Sequence, residues 1–492
     1  MKKNILIFII TFVVLQTGIA QNTFSTVIKH NLDFFPTDII ETSNHDFLIA
    51  SAARIPITSN YVWKTYIYKL NPEGTLTDSL IINEEGRISV IRKIEQLDDG
   101  NYIAWGSYET DQFFNYDFWQ IIFDENLNII SELKTPTNYG FLKFINTTKN
   151  KHNNYIVAGT YHTDANQVIF SSFFLKEITP QGIILKDTSY LLDGWNNIAD
   201  ICYSPKKDLY YAATRSTLST NSSREIIVFD TNFSIYEISS LYPDMLMGLS
   251  PTVNFVTDST FVLACNYRSE ADEKLLGVYE LSDKFEIKNH IYIGTPSDTM
   301  WYAGVFNNLS FITTDQLFFG STKGVKWVEW PNSPSYIQLD CLDENLNIKH
   351  EKYYGGDAYY VVHNVLASHD EGCVLMATRY SYGNNNIKKR NIAILKVDAN
   401  GLLTSNNNQI NIPIKNAIIM PNPGTNYLEL YTGAYPSELQ LFNINGQLVL
   451  SKEIYNESSR INTEILKSGT YIWHLVKGNE VVENGKWVKT CQ

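Results

Sequence analysis

Seven copies of a short sequence pattern dominate the chain: a turn-forming or polar residue followed by an apolar strand that ends in a small residue. Successive copies begin 51 to 56 residues apart, at 46–50, 100–104, 154–158, 209–213, 260–264, 316–320 and 372–377. A period near 50 with about four strands per unit is typical of propeller blades, because one four-stranded sheet must stack on neighbours to bury both faces. The repeat therefore predicts an all-β chain containing a seven-bladed β-propeller.

A second signature follows each copy and predicts how each unit is ordered. It consists of a strand and a tight turn rich in Asp, Asn and Gly, as at 69–74, 123–128 and 343–347. We expect the innermost strand of each unit to line the axis and this turn to join the third strand to the outermost strand. Small residues at the end of the second strand, such as Ala50, Ala104 and Ala158, predict close packing between units.

The seventh unit lacks an outermost strand of its own. Only 401–403 stand where that strand is expected, before a polar stretch at 404–409. Residues 23–32 have strand character and precede the first complete unit. Pairing this N-terminal strand with the last unit would cover an open sheet edge, which proteins generally avoid exposing. We therefore expect the two ends of the array to be joined by residues 23–32.

Composition supports an all-β chain and limits its partners. Aromatic residues make up 13% of the chain, with 31 Tyr and 25 Phe, and these residues favour strands. The formal net charge is −13, and it becomes −15 if Lys2 and Lys3 are removed with a signal peptide. From residue 412 onward seven basic residues balance seven Glu, so the negative charge lies on 21–411. Such a domain repels nucleic acid and anionic lipid, and neither is expected as a partner.

The N-terminus has the pattern of a signal peptide. Lys2 and Lys3 precede an apolar run at 5–15, and 18–20 end in small residues. These features predict a signal peptide at 1–20, cleaved after Ala20. The alternative is a membrane anchor, but the run is shorter than the ~18 to 20 residues that a spanning helix needs. No transmembrane segment is expected after cleavage.

The C-terminal segments 420–423, 428–430, 439–449, 466–472 and 485–489 alternate short strands with Asn-Pro, Asn-Gly and Ser-Gly turns, as in a small sandwich. Their order and spacing resemble the type A C-terminal sorting domain of the type IX secretion system of Bacteroidetes. The matching residues are Pro421, Asn422, Pro423, Gly446, Gly469 and Tyr471.

The resemblance implies that the type IX machinery is a partner and that the protein crosses the periplasm to be secreted or attached to the cell surface. The predicted domains are a signal peptide at 1–20, a propeller at 21–403, a linker at 404–411 and a β-sandwich sorting domain at 412–492. The departure from the family pattern is the short tail with Cys491 after Lys489.

The sequence contains no His-Glu-x-x-His motif, no Gly-x-Ser-x-Gly motif, no phosphate-binding Gly-rich loop and no EF-type calcium loop. The nine His show no metal-ligand spacing, and the five Cys are far apart, which favours buried thiols over disulfides. The repeated segments 124–128 and 343–347 offer several oxygen ligands for calcium, but their position favours hairpin turns. We therefore predict no cofactor, no metal and no catalytic residue.

Aromatic residues on predicted loops are the sequence feature that indicates a ligand-binding site. Trp327 and Trp330 lie in one predicted loop, and Tyr353 and Tyr354 precede a Gly-Gly pair. Tyr359-Tyr360 and Trp301-Tyr302 resemble them. Flat side chains on loops stack on sugar rings or anchor protein partners, although packing between blades is the alternative.

The sequence thus predicts an extracellular binding protein rather than an enzyme, with a glycan or a protein as ligand. The alternative is a polysaccharide-acting glycoside hydrolase whose two carboxylates come from different blades. A third interpretation is a structural component of the cell surface.

Overall fold

The computed structural model describes residues 22–29, 32–56, 61–82, 88–110, 116–137, 142–162, 171–191, 196–216, 224–241, 251–268, 274–294, 300–326, 328, 330–382, 389–404, 417–420, 424–432, 434–456, 458–478 and 480–490. Every regular element in these ranges is a β-strand, which confirms the predicted all-β class. None of the described residues forms a helix with the length and apolar character needed to cross a membrane.

Several predictions from the sequence lie outside the described residues. They are the signal peptide at 1–20, all of the linker except Thr404, the sorting-signal residues Pro421, Asn422 and Pro423, and the side chains of Trp327 and Cys491.

The strands before residue 398 form seven antiparallel sheets within the described ranges, here called sheets 1 to 7. A separate strand, β1, spans Phe24–Ile28. Sheet 1 contains β2 to β5, at Asp33–Glu41, Phe47–Pro56, Tyr61–Leu70 and Leu76–Ile82. Sheet 2 contains β6 to β9, at Ser89–Gln96, Tyr102–Glu109, Tyr116–Phe123 and Ile129–Thr135. Sheet 3 contains β10 to β13, at Leu142–Lys149, Tyr155–His162, Ser171–Ile178 and Ile184–Leu191.

The next two sheets repeat this order, with each strand paired to the next one along the chain. Sheet 4 contains β14 to β17, at Asn196–Ser204, Leu209–Ser216, Arg224–Phe229 and Ile235–Leu241. Sheet 5 contains β18 to β21, at Thr252–Phe255, Thr260–Arg268, Lys274–Ser282 and Ile287–Ile293.

The first strand of sheet 6 is split into two short pieces. Sheet 6 contains β22 to β26, at Trp301–Ala303, Leu309–Phe311, Leu317–Lys323, Tyr336–Leu342 and Ile348–Gly355, and both β22 and β23 pair with β24. Sheet 7 contains β27 to β29, at Tyr359–Ala367, Cys373–Tyr380 and Arg390–Val397, and its fourth strand is β1.

Seven apolar cores lie between consecutive sheets. Leu48 and Ile49 are neighbours in β3, yet Leu48 packs against sheet 2 and Ile49 packs against sheet 7. Successive strand residues point to opposite faces, so a strand with sheets stacked on both sides is apolar throughout. Further cores join sheets 2 and 3, 3 and 4, 4 and 5, 5 and 6, and 6 and 7. The order of contacts therefore returns from sheet 7 to sheet 1.

The small residues of the second strands pack in these cores, as predicted, but they do not end those strands, which continue to Pro56, Glu109 and His162. Ala50 and Ala104 share the core between sheets 1 and 2, and Ala158 lies between sheets 3 and 4. Each of the three is at most 1% exposed.

The turns between the third and fourth strands share one geometry. In each turn a side-chain oxygen accepts the backbone N–H four residues later, as from Asp124 to Asn128 at 2.8 Å and from Asp343 to Asn347 at 2.8 Å. The residue before that N–H has a positive φ, 60° at Leu127 and 59° at Leu346. The carboxylate oxygens of Asp124 and Asp343 therefore stabilise their own turns, which confirms the turn interpretation of both segments.

The interface between sheet 7 and sheet 1, here called the seam, contains the N-terminal strand. β1 pairs with β29 over five residues, from Phe24 opposite Lys396 to Ile28 opposite Ile392. Phe24 is buried and packs edge-on against Phe47 of sheet 1, with ring centroids 5.7 Å apart. The predicted pairing of the N-terminal strand with the last unit is confirmed.

The C-terminal region is a two-sheet β structure. Its strands are β30 to β36, at Ile418–Met420, Tyr427–Tyr431, Ser437–Asn443, Leu448–Ile454, Ser458–Asn462, Gly469–Lys477 and Glu480–Lys489. The sheets have the orders β30-β31-β34 and β33-β32-β35-β36. One core that includes Leu428, Leu441, Tyr471 and Trp487 is shared between them. Gly446 has a φ of 77° in the turn between β32 and β33.

Four cysteines of the described residues, all in sheets 4 to 7, are buried, and none of these four forms a disulfide.

Candidate functional site

The first strands of four sheets carry a β-bulge at the same place. The register shifts between Pro36 and Asp38 in β2, Ile91 and Lys93 in β6, Ile198 and Asp200 in β14, and Val362 and Asn364 in β27. A bulge bends the strand and changes the direction of the neighbouring side chains. The residues that follow the bulges, Asp38, Lys93, Asp200 and Asn364, line a common space.

This space, the polar cavity, has a volume of about 190 Å³. Each of the seven sheets contributes to its wall, for example through Thr147 of β10, Asn254 of β18 and Asn307 between β22 and β23. Its lining is mainly polar and includes the charged side chains of Asp38, Arg92, Lys93 and Asp200.

The buried carboxylates of the polar cavity hold neighbouring sheets together. Asp38 of sheet 1 accepts the Ile94 N–H of sheet 2 at 2.9 Å, and Lys93 Nζ lies 3.3 Å from it. Burial raises the pKa of Asp38, and the Lys93 ammonium partly opposes that rise. Asp200 of sheet 4 accepts the Val253 N–H of sheet 5 at 2.8 Å, while burial raises its pKa to about 7. These bonds between sheets indicate a structural role for both carboxylates.

A larger and less polar cavity, the aromatic pocket, opens between sheets 6, 7 and 1 with a volume of about 390 Å³. Its wall combines Tyr302 of β22, Tyr359 and His363 of β27, Tyr380 at the end of β28 and Phe35 of β2, together with several valines. Aromatic rings with a few polar groups are the usual lining of small-molecule sites, and the volume lies in their range of about 300 to 1,000 Å³.

His363 lies at the bulge of β27 and is only 1% exposed. Its ring packs edge-on against Phe35, with centroids 4.7 Å apart, and lies 5.7 Å from Phe306. Within the described residues its Nδ1 atom makes no hydrogen bond. Burial lowers the pKa of His363 to about 3, with a further contribution from the charge of Arg390. The imidazole is therefore neutral at physiological pH.

Arg390 contributes a planar cation whose charge is compensated. Its guanidinium binds Asp33 through Nε at 2.7 Å and through Nη2 at 2.6 Å. The same group lies 5.4 Å from the Trp330 ring centroid and 5.9 Å from that of Phe35. The pair therefore provides a flat surface with little net charge beside the pocket.

The structure describes three of the four aromatic residues that the sequence suggested as a site, and these three lie in different surroundings. Trp330 borders the aromatic pocket through Arg390 and through Tyr380, whose ring centroid is 5.0 Å away. Tyr353 is 42% exposed on β26, where its hydroxyl donates to Glu351. Tyr354 packs in the core between sheets 6 and 7 and donates to the Gly401 carbonyl at 2.6 Å. Trp327 lies outside the described residues. Of the three described candidates, Trp330 is the one that borders the pocket.

Sequence reasoning noted Tyr302 and Tyr359 but did not connect them, and it did not propose His363, Tyr380 or Arg390 as site residues. The last two residues stand at the facing ends of β28 and β29 and are paired in register. Their positions at the same edge of sheet 7 are the signal that could have identified them.

Comparison with known proteins identifies the C-terminal region. Residues 418–490 match the family described as secretion system C-terminal sorting domain. This match supports the resemblance inferred from the sequence. The tail implies export by the type IX machinery, with secretion or attachment at the cell surface. No curated protein is significantly similar to the chain.

Some solved structures are similar to the chain at low identity. They include polysaccharide lyase Uly1, at 7% identity over 74% of this chain and 90% of that chain, with a TM-score of 0.42. An ulvan lyase of polysaccharide lyase family PL25 is 7% identical over 77% of this chain and 98% of that chain, with a TM-score of 0.48. A protein of unknown function from Dyadobacter fermentans is 12% identical over 76% and 97%, with a TM-score of 0.41. These similarities are too distant to assign an activity.

Proposed function

We propose that sheets 1 to 7 are the blades of a closed seven-bladed β-propeller. Two observations support this architecture: the order of cores returns from sheet 7 to sheet 1, and all seven sheets contribute to the wall of the polar cavity. The proposed boundaries remain those of the sequence, with a signal peptide at 1–20, the propeller at 21–403, the linker at 404–411 and the sorting domain at 412–492.

The propeller is the working part of a binding protein that acts outside the cell of a member of the Bacteroidetes. The observation that carries this proposal is the aromatic pocket, in which a buried neutral histidine lies among tyrosines. A sugar ring presents an apolar face that stacks on aromatic rings and hydroxyl groups that bond to polar atoms. We therefore favour a glycan segment as the ligand. Arg390 is paired with Asp33, and Lys326 is the other cationic residue of the wall.

A panel of bacterial, plant and host polysaccharides would test this function, first for retention of the purified full chain and then for release of reducing ends. We expect retention without turnover. Tyr380→Ala and Trp330→Ala should each weaken binding by about 1 to 2 kcal/mol, roughly five- to thirty-fold, because each removes a stacking surface. Tyr353→Ala is the matched control, since this exposed tyrosine lies outside the pocket.

Equal losses for Tyr353→Ala and Tyr380→Ala would argue against the pocket as the site. Release of reducing ends that Asp200→Asn abolishes would favour the glycoside hydrolase alternative. In that case Asp38 and Asp200, which line one cavity, would be the first carboxylates to assign.

A further inference from the structure

Two histidines from the two ends of the propeller region meet beside one carboxylate. Glu41 is the last residue of β2, His45 lies in the turn that follows, and His369 lies in the turn between β27 and β28. The two imidazole rings are stacked, with centroids 3.4 Å apart and planes inclined by 16°. The candidate ligand atoms of the three residues all lie within 4.8 Å of one another.

The carboxylate of Glu41 is held so that one oxygen faces the Nδ1 atoms of both imidazoles. Its Oε2 atom accepts the backbone N–H of His369 at 3.0 Å. Its Oε1 atom bonds His369 Nδ1 and lies 3.7 Å from His45 Nδ1. Glu41 is only 10% exposed, whereas each imidazole is 47% exposed. The arrangement thus combines a nearly buried, hydrogen-bonded carboxylate with two half-exposed imidazoles.

Both histidines sit on defined backbone turns. In the first turn the His45 N–H donates to the Thr42 carbonyl at 2.8 Å and His45 has a φ of 65°. In the second the Glu371 N–H donates to the Ser368 carbonyl at 3.0 Å. Rigid placement of ligands lowers the entropy lost when a metal binds.

We propose that Glu41, His45 and His369 form a zinc site at the seam. Two imidazoles and one carboxylate are a donor set that Zn²⁺ favours, at bond lengths of about 2.0 to 2.2 Å and with a fourth position open to water. Neighbouring ligand atoms around such a tetrahedral ion are about 3.3 Å apart. The three ligand atoms, which lie within 4.8 Å of one another, would approach that spacing on binding. On binding, His369 Nδ1 ligates the ion in place of its hydrogen bond to Glu41, and the neutral imidazole carries its hydrogen on Nε2.

The site has a consequence for the ring. Glu41 and His45 belong to sheet 1 and His369 belongs to sheet 7, so a bound ion links the two sheets whose interface β1 completes. Zinc bound to the folded state alone stabilises it by mass action. Zinc should therefore raise the melting temperature of the full chain.

Titration calorimetry of the EDTA-treated, dialysed full chain with ZnCl₂ tests the proposal. We expect one ion per chain and a melting temperature that rises with zinc. Glu41→Gln, His369→Ala and His45→Asn should each lower zinc affinity at least tenfold and remove the rise. Asn tolerates a positive φ, so His45→Asn keeps the turn and its loss of zinc reports ligation rather than unfolding. Titration with MgCl₂ should show no binding at this site, because Mg²⁺ is a hard cation that prefers oxygen ligands.

The matched control is His152→Ala, which removes an exposed histidine from the equivalent turn of sheet 3 and should leave zinc affinity unchanged. The proposal is overturned if the wild-type chain binds no zinc. It is also overturned if the folded double variant His45→Asn/His369→Ala binds zinc as tightly as the wild type.

Discussion

His363 shows how a single buried side chain links the stability of the propeller region to its proposed site. The residue occupies a bulge, packs between Phe35 and Phe306, and keeps its Nδ1 atom unbonded among the described residues. Burial of an unpaired polar atom costs free energy, and such a cost is often retained where a ligand uses the atom. Substitution of His363 therefore tests both the stability of the folded protein and the assignment of the pocket.

The pKa of His363 predicts a specific pH dependence. In the unfolded chain its pKa is about 6.5, whereas in the folded protein it is about 3, so below about pH 6.5 the unfolded state binds the extra proton. His363 alone should therefore lower the free energy of unfolding by about 2 kcal/mol between pH 7 and pH 5. Urea denaturation of the wild type and of His363→Leu at both pH values measures this difference.

The comparison with His363→Leu is needed because Asp200 and Asp340 act in the opposite direction. Burial raises the pKa of each to about 7, so the folded state binds their protons first and gains stability as the pH falls below that value. The same loss between the two pH values in the wild type and in His363→Leu would contradict the assignment of a neutral buried histidine.

Site residues were only partly predictable from the sequence. Trp330 was identified because it is aromatic and lies in a loop, and the same criterion selected Tyr354, which packs between sheets. His45 and His369 were missed as a pair because metal-ligand spacing is sought locally, whereas the order of the sheets brings the two ends of the array together. Side-chain proximity across the seam depends on register, which the repeat period does not specify.

At the level of elements, the repeated turns were the most predictable part of the chain. A side chain that accepts the N–H four residues later recurs at Asp124, Asp230, Asp343 and Asp398, and Thr179 and Ser282 replace the carboxylate in two other units. The sequence did not predict that Leu127 and Leu346 take a positive φ, a conformation usually given to Gly or Asn. Both leucines are at most 4% exposed, and the free energy of their burial offsets the strain.

The strand β1 gives a prediction about how the array is fastened. Phe24→Ala should reduce the free energy of unfolding by about 3 to 5 kcal/mol, because the buried ring packs across the seam against Phe47. Deletion of residues 21–32 should cost several kcal/mol, since the last sheet also loses the bonds to β29, each worth about 1 kcal/mol net. Denaturation curves of both variants measure these losses. Ser25→Ala, on the less buried face of β1, is the control and should change little.

An unchanged melting temperature after the deletion would show that β1 does not fasten sheet 7 to sheet 1. A loss for Ser25→Ala as large as that for Phe24→Ala would show that packing of the aromatic ring against Phe47 is not what carries the effect.

At the scale of the whole molecule, the repeated sequence pattern predicted the all-β class and the order of strands within each sheet. It also predicted the pairing of the N-terminal strand with the last sheet at the seam. The polar cavity was not predictable, because it depends on bulges in β2, β6, β14 and β27 that a period of about 50 residues does not reveal. The ligand was not predictable for a related reason: the pocket combines residues from sheets 6, 7 and 1 that are far apart in sequence.

We assign the chain two parts with different tasks: sheets 1 to 7, which we propose bind a ligand outside the cell, and a C-terminal sorting domain that directs export. Fractionation of a host with the type IX machinery tests this division most directly, by comparing the full chain, the chain without residues 412–492 and the full chain carrying Tyr380→Ala. We predict that the full chain and Tyr380→Ala reach the surface or the medium, whereas the truncated chain accumulates, folded, in the periplasm. Surface display or release of the folded truncated chain at the level of the full chain would contradict the account.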